Sequence, residues 1–191
     1  MSESNLLQRT IAVDSNSISV IDSVHNEIHR GDVYSAYKVS SAIGASSWID
    51  ISFITPATTV IHLKEFGINF SGGICEVVVL ESPTTMTMST AFLSAINRKR
   101  SSTHTSAMTI YTNSTYPIGS TATSTQASII KDILIGSTGT NSNRSGAGVM
   151  PPLLEFVLKT NTTYLIRAID KSGGGFGSLA AYWYEEYSTR T

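Results

Sequence analysis

Apolar and polar residues alternate along much of the chain from about residue 33 onward. In the clearest case Ile49, Ile51 and Phe53 fall on one side of an extended segment, while Asp50 and Ser52 fall on the other. This period of two is typical of a β-strand that buries one of its faces. Similar patterns predict nine strands, at residues 33–39, 47–54, 59–70, 74–81, 107–111, 128–135, 153–159, 163–169 and 178–187.

Turn-forming residues separate these segments, and the whole pattern predicts an all-β protein. Nine short strands, almost no helix and no internal repeat favour a two-sheet β-sandwich, jelly-roll-like in topology, over a propeller or a β-helix. The glycine-rich residues 172–177 are interpreted as a hairpin loop. Residues 112–125 and 136–152 are interpreted as long loops, which often form interaction surfaces on compact domains. Residues 89–97 fit a short helix and an irregular segment equally well.

The first 26 residues differ from the remainder, because their apolar side chains are widely spaced among Ser, Asn and Asp. We interpret residues 1–26 as an N-terminal arm that becomes ordered against a partner, with a short hairpin as the alternative. Residues 27–191 are predicted to form a single β-sandwich domain. A chain of 191 residues is long enough to build one substantial core.

Composition supports this fold class and limits the range of functions. Ser and Thr make up about a quarter of the chain, whereas charged residues make up 14%, and such a polar but lightly charged surface favours strands over a helical bundle. The net charge of −1 does not indicate nucleic-acid binding. A single cysteine, Cys75, excludes an intramolecular disulfide and fits assembly in a reducing cytoplasm. We expect neither a signal peptide nor a membrane-spanning segment.

No arrangement of residues in the sequence indicates catalysis, so we expect no enzymatic activity, no catalytic residue and no cofactor. A G-x-S-x-G nucleophile motif is missing from the sequence. Cys75 opens an apolar strand and is expected to be an inert core thiol. Glu185 and Glu186 are adjacent, so in a strand they point to opposite faces and cannot act as an acid–base pair.

A metal site is also not expected from the sequence. His25 and His29 are four residues apart, and on a helix this spacing would place both rings on one face. The zinc-protease motif, however, requires Glu directly after the first His, whereas Glu27 lies one position later. No helical pattern surrounds the pair, so the two histidines are interpreted as polar residues of a turn.

Four stretches of the chain, taken in order, resemble a known family. They are residues 27–34 (EIHRGDVY), 97–101 (NRKRS), 154–173 (LEFVLKTNTTYLIRAIDKSG) and 182–185 (YWYE). The family pattern reads I-H-x-G-x-x-[FY], N-R-N-R, L-x-P-N-T-x-Y-L-[IV]-R with a Ser-Gly turn, and W-Y-E. Lys99 and Thr160 stand where the family often has Asn and Pro. The match covers residues 27–187, and the family is that of capsid decoration (cement) proteins of tailed bacteriophages.

This resemblance implies a virion structural protein that binds the outside of the capsid in many copies and stabilises the shell. Its partner would be the major capsid protein of the same phage, with self-association as a homotrimer, or as a dimer in second place. It would be made in the host cytoplasm and reside on the outer capsid surface, without a nucleic-acid or membrane partner. The candidate capsid contacts are the apolar residues of the arm and the one basic cluster: Leu6, Leu7, Ile11, Arg98, Lys99 and Arg100.

A different class of function remains open, namely a tail- or fibre-associated sandwich that binds a host receptor or glycan. Such a site should combine exposed aromatic residues with acidic or amide side chains in the long loops. Only Tyr111 and Tyr116 supply aromatic rings there, and residues 112–125 contain no acid. The sequence therefore favours the capsid decoration protein.

Overall fold

The computed structural model describes residues 23–43, 47–71, 74–116, 128–136, 145–149, 155–171 and 175–187. Among these residues the chain forms one helix and eleven strands. Their bounds are α1 Ser23–Arg30, β1 Val33–Ile43, β2 Trp48–Ile54, β3 Thr59–Ser71, β4 Ile74–Glu81, β5 Ile96–Asn97, β6 Thr109–Tyr111, β7 Ser128–Gly136, β8 Ser145–Val149, β9 Phe156–Leu158, β10 Thr163–Asp170 and β11 Gly175–Tyr187.

The strands form two antiparallel sheets that pack against each other. The first sheet has the order β5-β1-β11-β3-β8, with β9 also pairing with β3, and the second has the order β6-β2-β10-β4-β7. The pairs β1–β11, β2–β10, β3 with β8 and β9, and β4–β7 are nested along the chain. Nested antiparallel pairs split over two sheets define a jelly roll, so the prediction of an all-β, jelly-roll-like sandwich is confirmed.

The inward-facing side chains of both sheets form the main core. Trp183 of β11 is 1% exposed and stacks on Tyr34 of β1 with 5.9 Å between the ring centroids. Cys75 of β4 is completely buried in the same core, and burial raises the pKa of its thiol to about 12. The interpretation of Cys75 as a core thiol is thus confirmed.

We expect Cys75 to be unreactive in the folded protein, because a buried thiol with a raised pKa offers almost no thiolate at neutral pH. A disulfide reagent such as DTNB, added at about pH 8, should label no cysteine in the native chain. It should label one per chain after unfolding in guanidinium chloride. Rapid labelling without denaturant would contradict the placement of β4 in the core.

Several expectations about local structure are wrong. The predicted loop at residues 136–152 contains β8. Of the two alternatives for residues 89–97, the short helix is wrong, since the segment is irregular and ends in the short strand β5. The prediction that residues 172–177 form a hairpin loop is wrong, because the flanking strands β10 and β11 belong to different sheets. His25 and His29 do not lie in a turn but in helix α1. Residues 1–22 lie outside the described residues, and the domain boundary drawn after residue 26 falls within α1.

The polar side of β2 is buried, which the alternation did not predict. Asp50 and Ser52 are 1% and 0% exposed, because residues 112–116 cover the outer face of the second sheet. The Asn113 amide donates to Asp50 Oδ1 at 2.6 Å, and the hydroxyls of Ser52 and Ser114 share a hydrogen bond of 2.6 Å. This sheet therefore has protein on both of its faces.

Arg167 of β10 connects this covering segment to the sheet. Its guanidinium donates to Asp50 Oδ2 at 2.9 Å and to the carbonyls of Ser114 and Tyr116 at 2.8 and 3.1 Å. It also lies 4.8 Å from the ring centroid of Trp48. A second, smaller apolar cluster adjoins it, formed by Val78, Leu80, Tyr116 and Leu165, with Met86 packed against them. The outer face of the second sheet is consequently occupied by the chain itself.

Candidate interaction surface

The outer face of the first sheet is more open. Among the described residues five large apolar side chains are exposed, and four of them belong to strands of this sheet: Tyr37 (46%), Val39 (71%), Ile96 (40%) and Val157 (63%). The fifth, Phe92, contacts Tyr111 at the edge of the second sheet. Among the residues whose side-chain exposure is described, which leave out those of β7 and β8, the exposed large apolar side chains are therefore concentrated on the first sheet.

Strand register explains why these side chains point outward. Ala36 lies opposite Ala181, and both are buried in the core. The next residue, Tyr37, must then face away from the core, and so must Val39 two positions later. Both lie further along β1 than Tyr34 and Ser35, the two residues that pair with β5. Next to Tyr37 and Val39 the described part of the chain provides no strand that pairs with this edge of β1. An apolar edge of this kind tends to contact another chain.

An aromatic and cationic group lies at the centre of this surface. The rings of Tyr37 and Tyr182 meet edge-on with 5.8 Å between their centroids, and a hydrogen bond to Tyr37 raises the pKa of Tyr182 to about 12. The guanidinium of Arg98 lies 5.5 Å from the centroid of Tyr182. We call Tyr37, Val39, Ile96, Arg98 and Tyr182 together the apolar patch.

The basic cluster predicted from the sequence overlaps the apolar patch at Arg98 and continues into the turn after β5. Asn97 fixes this turn, because its side-chain amide donates to the carbonyl of Gly31 at 2.8 Å and its oxygen accepts from the Lys99 amide at 2.9 Å. Arg98 and Arg100 are exposed, while Lys99 is half-buried. Of the six predicted contact residues, Arg98 thus belongs to the apolar patch, and Lys99 and Arg100 directly follow it in the chain. The other three, Leu6, Leu7 and Ile11, lie outside the described residues.

A polar cluster adjoins the apolar patch on the same sheet face, since Tyr184 follows Tyr182 two positions along β11. Glu155, just before β9, accepts hydrogen bonds from Lys64 Nζ at 2.5 Å and from the Tyr184 hydroxyl at 2.8 Å. His62 Nδ1 contacts the same carboxylate, and His62 Nε2 lies 3.2 Å from Glu186 Oε2. The His62 and Tyr184 rings stack with 4.2 Å between centroids. We call these five residues the polar cluster.

The polar cluster is arranged to hold strands together. Burial raises the pKa of Glu155, but hydrogen bonds from Lys64, Tyr184 and His62 outweigh this effect, and the pKa lies below its ordinary value of 4.5. Both ring nitrogens of His62 have carboxylate partners. The cluster therefore attaches Glu155 and β9 to β3 and β11.

We expect Glu155 to make stability depend on pH. A carboxyl group whose folded pKa is lowered contributes stability above its unfolded pKa, and this contribution is lost as pH falls through the folded pKa. Glu155→Gln should accordingly flatten the loss of unfolding free energy between about pH 5 and pH 3, measured by urea titration. Glu186→Gln, on the exposed side of the same histidine, is the control. An unchanged pH profile in Glu155→Gln would contradict this role.

Glu185 and Glu186 are the remaining candidate residues. As predicted, Glu185 and Glu186 face opposite ways: Glu185 is 1% exposed, whereas Glu186 is exposed. Glu185 accepts from the Ala107 amide at 2.9 Å and from Trp183 Nε1 at 3.1 Å, so it serves to position the chain around residue 107. Within the described residues no group of three or more His, Cys, Asp or Glu side chains could hold a metal ion, and no helix is long and apolar enough to cross a bilayer.

The sequence analysis missed Tyr37, Val39 and Val157 as surface residues, although β1 carries a signal. In the segment Val33–Val39 apolar residues occupy both phases of the alternation, which is typical of a strand with two apolar faces. One phase fills the core, and the other is available to a partner.

Comparison with known proteins finds no family model, no curated protein and no solved structure that matches the chain.

Proposed function

We propose that this chain is a non-enzymatic virion structural protein that binds the outside of a phage capsid in many copies and stabilises the shell. The observation that carries the proposal is the apolar patch on the first sheet, contrasted with the covered outer face of the second sheet. Exposed apolar side chains with polar neighbours are typical of protein–protein interaction surfaces. A rigid sandwich with one adhesive face suits a protein that attaches to a regular lattice.

The chemistry of the apolar patch also suits a protein partner. Tyrosine and arginine are enriched among the residues that dominate binding energy at protein interfaces. Tyr182 and Arg98 are already packed together, so little side-chain entropy would be lost on binding. An arginine held in this way can donate two parallel hydrogen bonds to the carboxylate of an acidic side chain of the shell.

The identity of the partner rests on the sequence resemblance of residues 27–187 to capsid decoration proteins. A protein that binds the assembled lattice but not its free subunits stabilises the lattice by mass action. Copies would meet around local threefold positions as homotrimers, with dimers on twofold positions in second place.

Binding to capsids tests this function. The purified chain is mixed with capsids of the phage that encodes it and, separately, with the unassembled major capsid protein, and each mixture is sedimented. We expect saturable binding to capsids, little binding to free subunits, and a higher temperature of capsid disruption when the chain is bound. Absence of binding to assembled capsids would contradict the proposal.

A second function is favoured by one observation, namely that Tyr37, Tyr182 and Tyr184 lie on the same sheet face. Rows of aromatic rings can stack on sugars, and a tail-associated receptor-binding module would use such a face to bind a host glycan. Binding of the purified chain to host surface polysaccharide, lost in Tyr182→Ala, would favour this module over the decoration protein.

A further inference from the structure

Helix α1 brings two histidine side chains together on the protein surface. His25 and His29 lie four residues apart on this helix, and their Nε2 atoms are 2.9 Å from each other. The two rings meet edge-on with 4.6 Å between their centroids, and both residues are exposed. The sequence analysis had set the pair aside because no helix was expected there, and the structure removes that objection.

We propose that His25 and His29 form a two-histidine chelating site for a late divalent transition-metal ion, Cu²⁺ or Ni²⁺. Imidazole nitrogens bind such ions at about 2.0–2.1 Å, so two nitrogens at right angles around one ion lie about 2.9 Å apart. The two Nε2 atoms, which share a hydrogen bond, lie at this same separation. Right angles between neighbouring ligands occur in the square-planar and octahedral geometries of these two ions.

Among the described residues, the surroundings of the pair supply no third ligand beside the two histidines. Glu27, the acidic residue between the two histidines in the sequence, forms an ion pair with Arg30, with 3.2 Å between Oε1 and Nη1. The remaining coordination positions are therefore open to water, or to a donor from another molecule. Two imidazoles without a carboxylate favour copper and nickel over magnesium or calcium, which prefer oxygen ligands.

The other two histidines have different partners and provide controls. His62 contacts Glu155 and Glu186 through its two nitrogens. His104 Nδ1 lies 3.3 Å from Asp32 Oδ1. Neither histidine has a second histidine nitrogen at a comparable distance among the described residues, so we assign no chelation to them.

A bound ion would also link two consecutive turns of α1. A helix of eight residues is marginal by itself, and a ligand that binds only the folded form stabilises it. Metal binding should accordingly raise the thermal stability of α1, which leads directly into β1. This inference is independent of the proposed capsid function.

Isothermal titration of the full-length chain with Ni²⁺, after removal of metals by a chelator, tests the site. We expect one ion per chain, no response to Mg²⁺, and an affinity about 100-fold lower in His25→Ala and in His29→Ala, because each variant loses the intramolecular second contact. His104→Gln should bind as the wild type does. A rise of the melting temperature with Ni²⁺, present in the wild type and absent in His29→Ala, is the second readout.

Two results would overturn the proposal. One is the absence of Ni²⁺ and Cu²⁺ binding by the wild-type chain. The other is unchanged affinity in a folded His25→Ala/His29→Ala double variant, which would place any bound ion elsewhere. Circular dichroism of each variant verifies that the β-sandwich is intact, since both histidines lie outside its core.

Discussion

Replacing Asp50 with alanine is expected to lower the free energy of unfolding by about 3–5 kcal/mol, since the change leaves a buried charge without its counter-charge. Arg167 is 2% exposed, and Asp50 supplies the only carboxylate among its described hydrogen-bond partners. The carbonyls of Ser114 and Tyr116 remain as acceptors in the variant, but they do not neutralise the guanidinium. Chemical denaturation monitored by tryptophan fluorescence measures the effect.

A surface ion pair provides the matched control for this prediction. Lys159 Nζ donates to Glu81 Oε1 at 2.6 Å, but the Lys159 side chain is 71% exposed. Lys159→Ala should cost less than about 1 kcal/mol, because water screens the pair. The double variant Asp50→Ala/Arg167→Met, which removes both buried charges, should recover part of the loss. Equal effects of Asp50→Ala and Lys159→Ala would show that the buried ion pair does not hold residues 112–116 on the sheet.

Replacing Val39 with aspartate is expected to weaken binding to capsids by about 30-fold or more, equivalent to about 2 kcal/mol. Val39 is 71% exposed, so the substitution should leave the fold intact. In the complex, however, it would bury an unpaired carboxylate within the apolar patch, which is costly. Sedimentation with capsids over a range of concentrations gives the dissociation constants of the wild-type chain and of Val39→Asp.

Phe92→Asp is the control for the interface prediction. Phe92 is 68% exposed, close to Val39 in exposure, but its ring contacts Tyr111 at the edge of the second sheet. Its replacement should leave capsid binding unchanged if the first sheet forms the contact. A loss of binding in Phe92→Asp but not in Val39→Asp would move the interface to the other side of the sandwich.

Strands with regular alternation were predicted well from the sequence. The predicted bounds of β4, residues 74–81, agree with the structure, and so does the predicted burial of Cys75. Strand β8 was missed because its sequence, SGAGV, has no large side chain to mark an inward face. Local patterns thus identify strands only where side chains of different polarity alternate.

Helix α1 was missed because its eight residues are mostly polar. Its end does carry a signal: Gly31 follows Arg30 with a φ of +83°, and its amide donates to the Glu27 carbonyl at 3.1 Å. A glycine in this conformation, preceded by basic residues, is typical of a helix C-terminus. This signal predicts a helix that ends at Arg30, and on such a helix His25 and His29 lie on the same face.

The burial of Asp50 and the composition of the apolar patch could not be read from local sequence. Asp50 is covered by residues about sixty positions later in the chain, and no local alternation contains that information. The contact between Arg98 and Tyr182 likewise joins a turn after β5 to a distant strand. Such contacts depend on the order of strands in the sheets, which the sequence pattern left undetermined.

The copy number of this chain per virion tests the central claim most directly. Quantitative mass spectrometry of purified particles, with the major capsid protein as the internal reference, gives the ratio of the two chains. A capsid decoration protein predicts a ratio near one, or a simple fraction such as about one third when homotrimers occupy threefold positions. A handful of copies per particle would instead indicate a tail or vertex protein, and absence of the chain from virions would contradict the account.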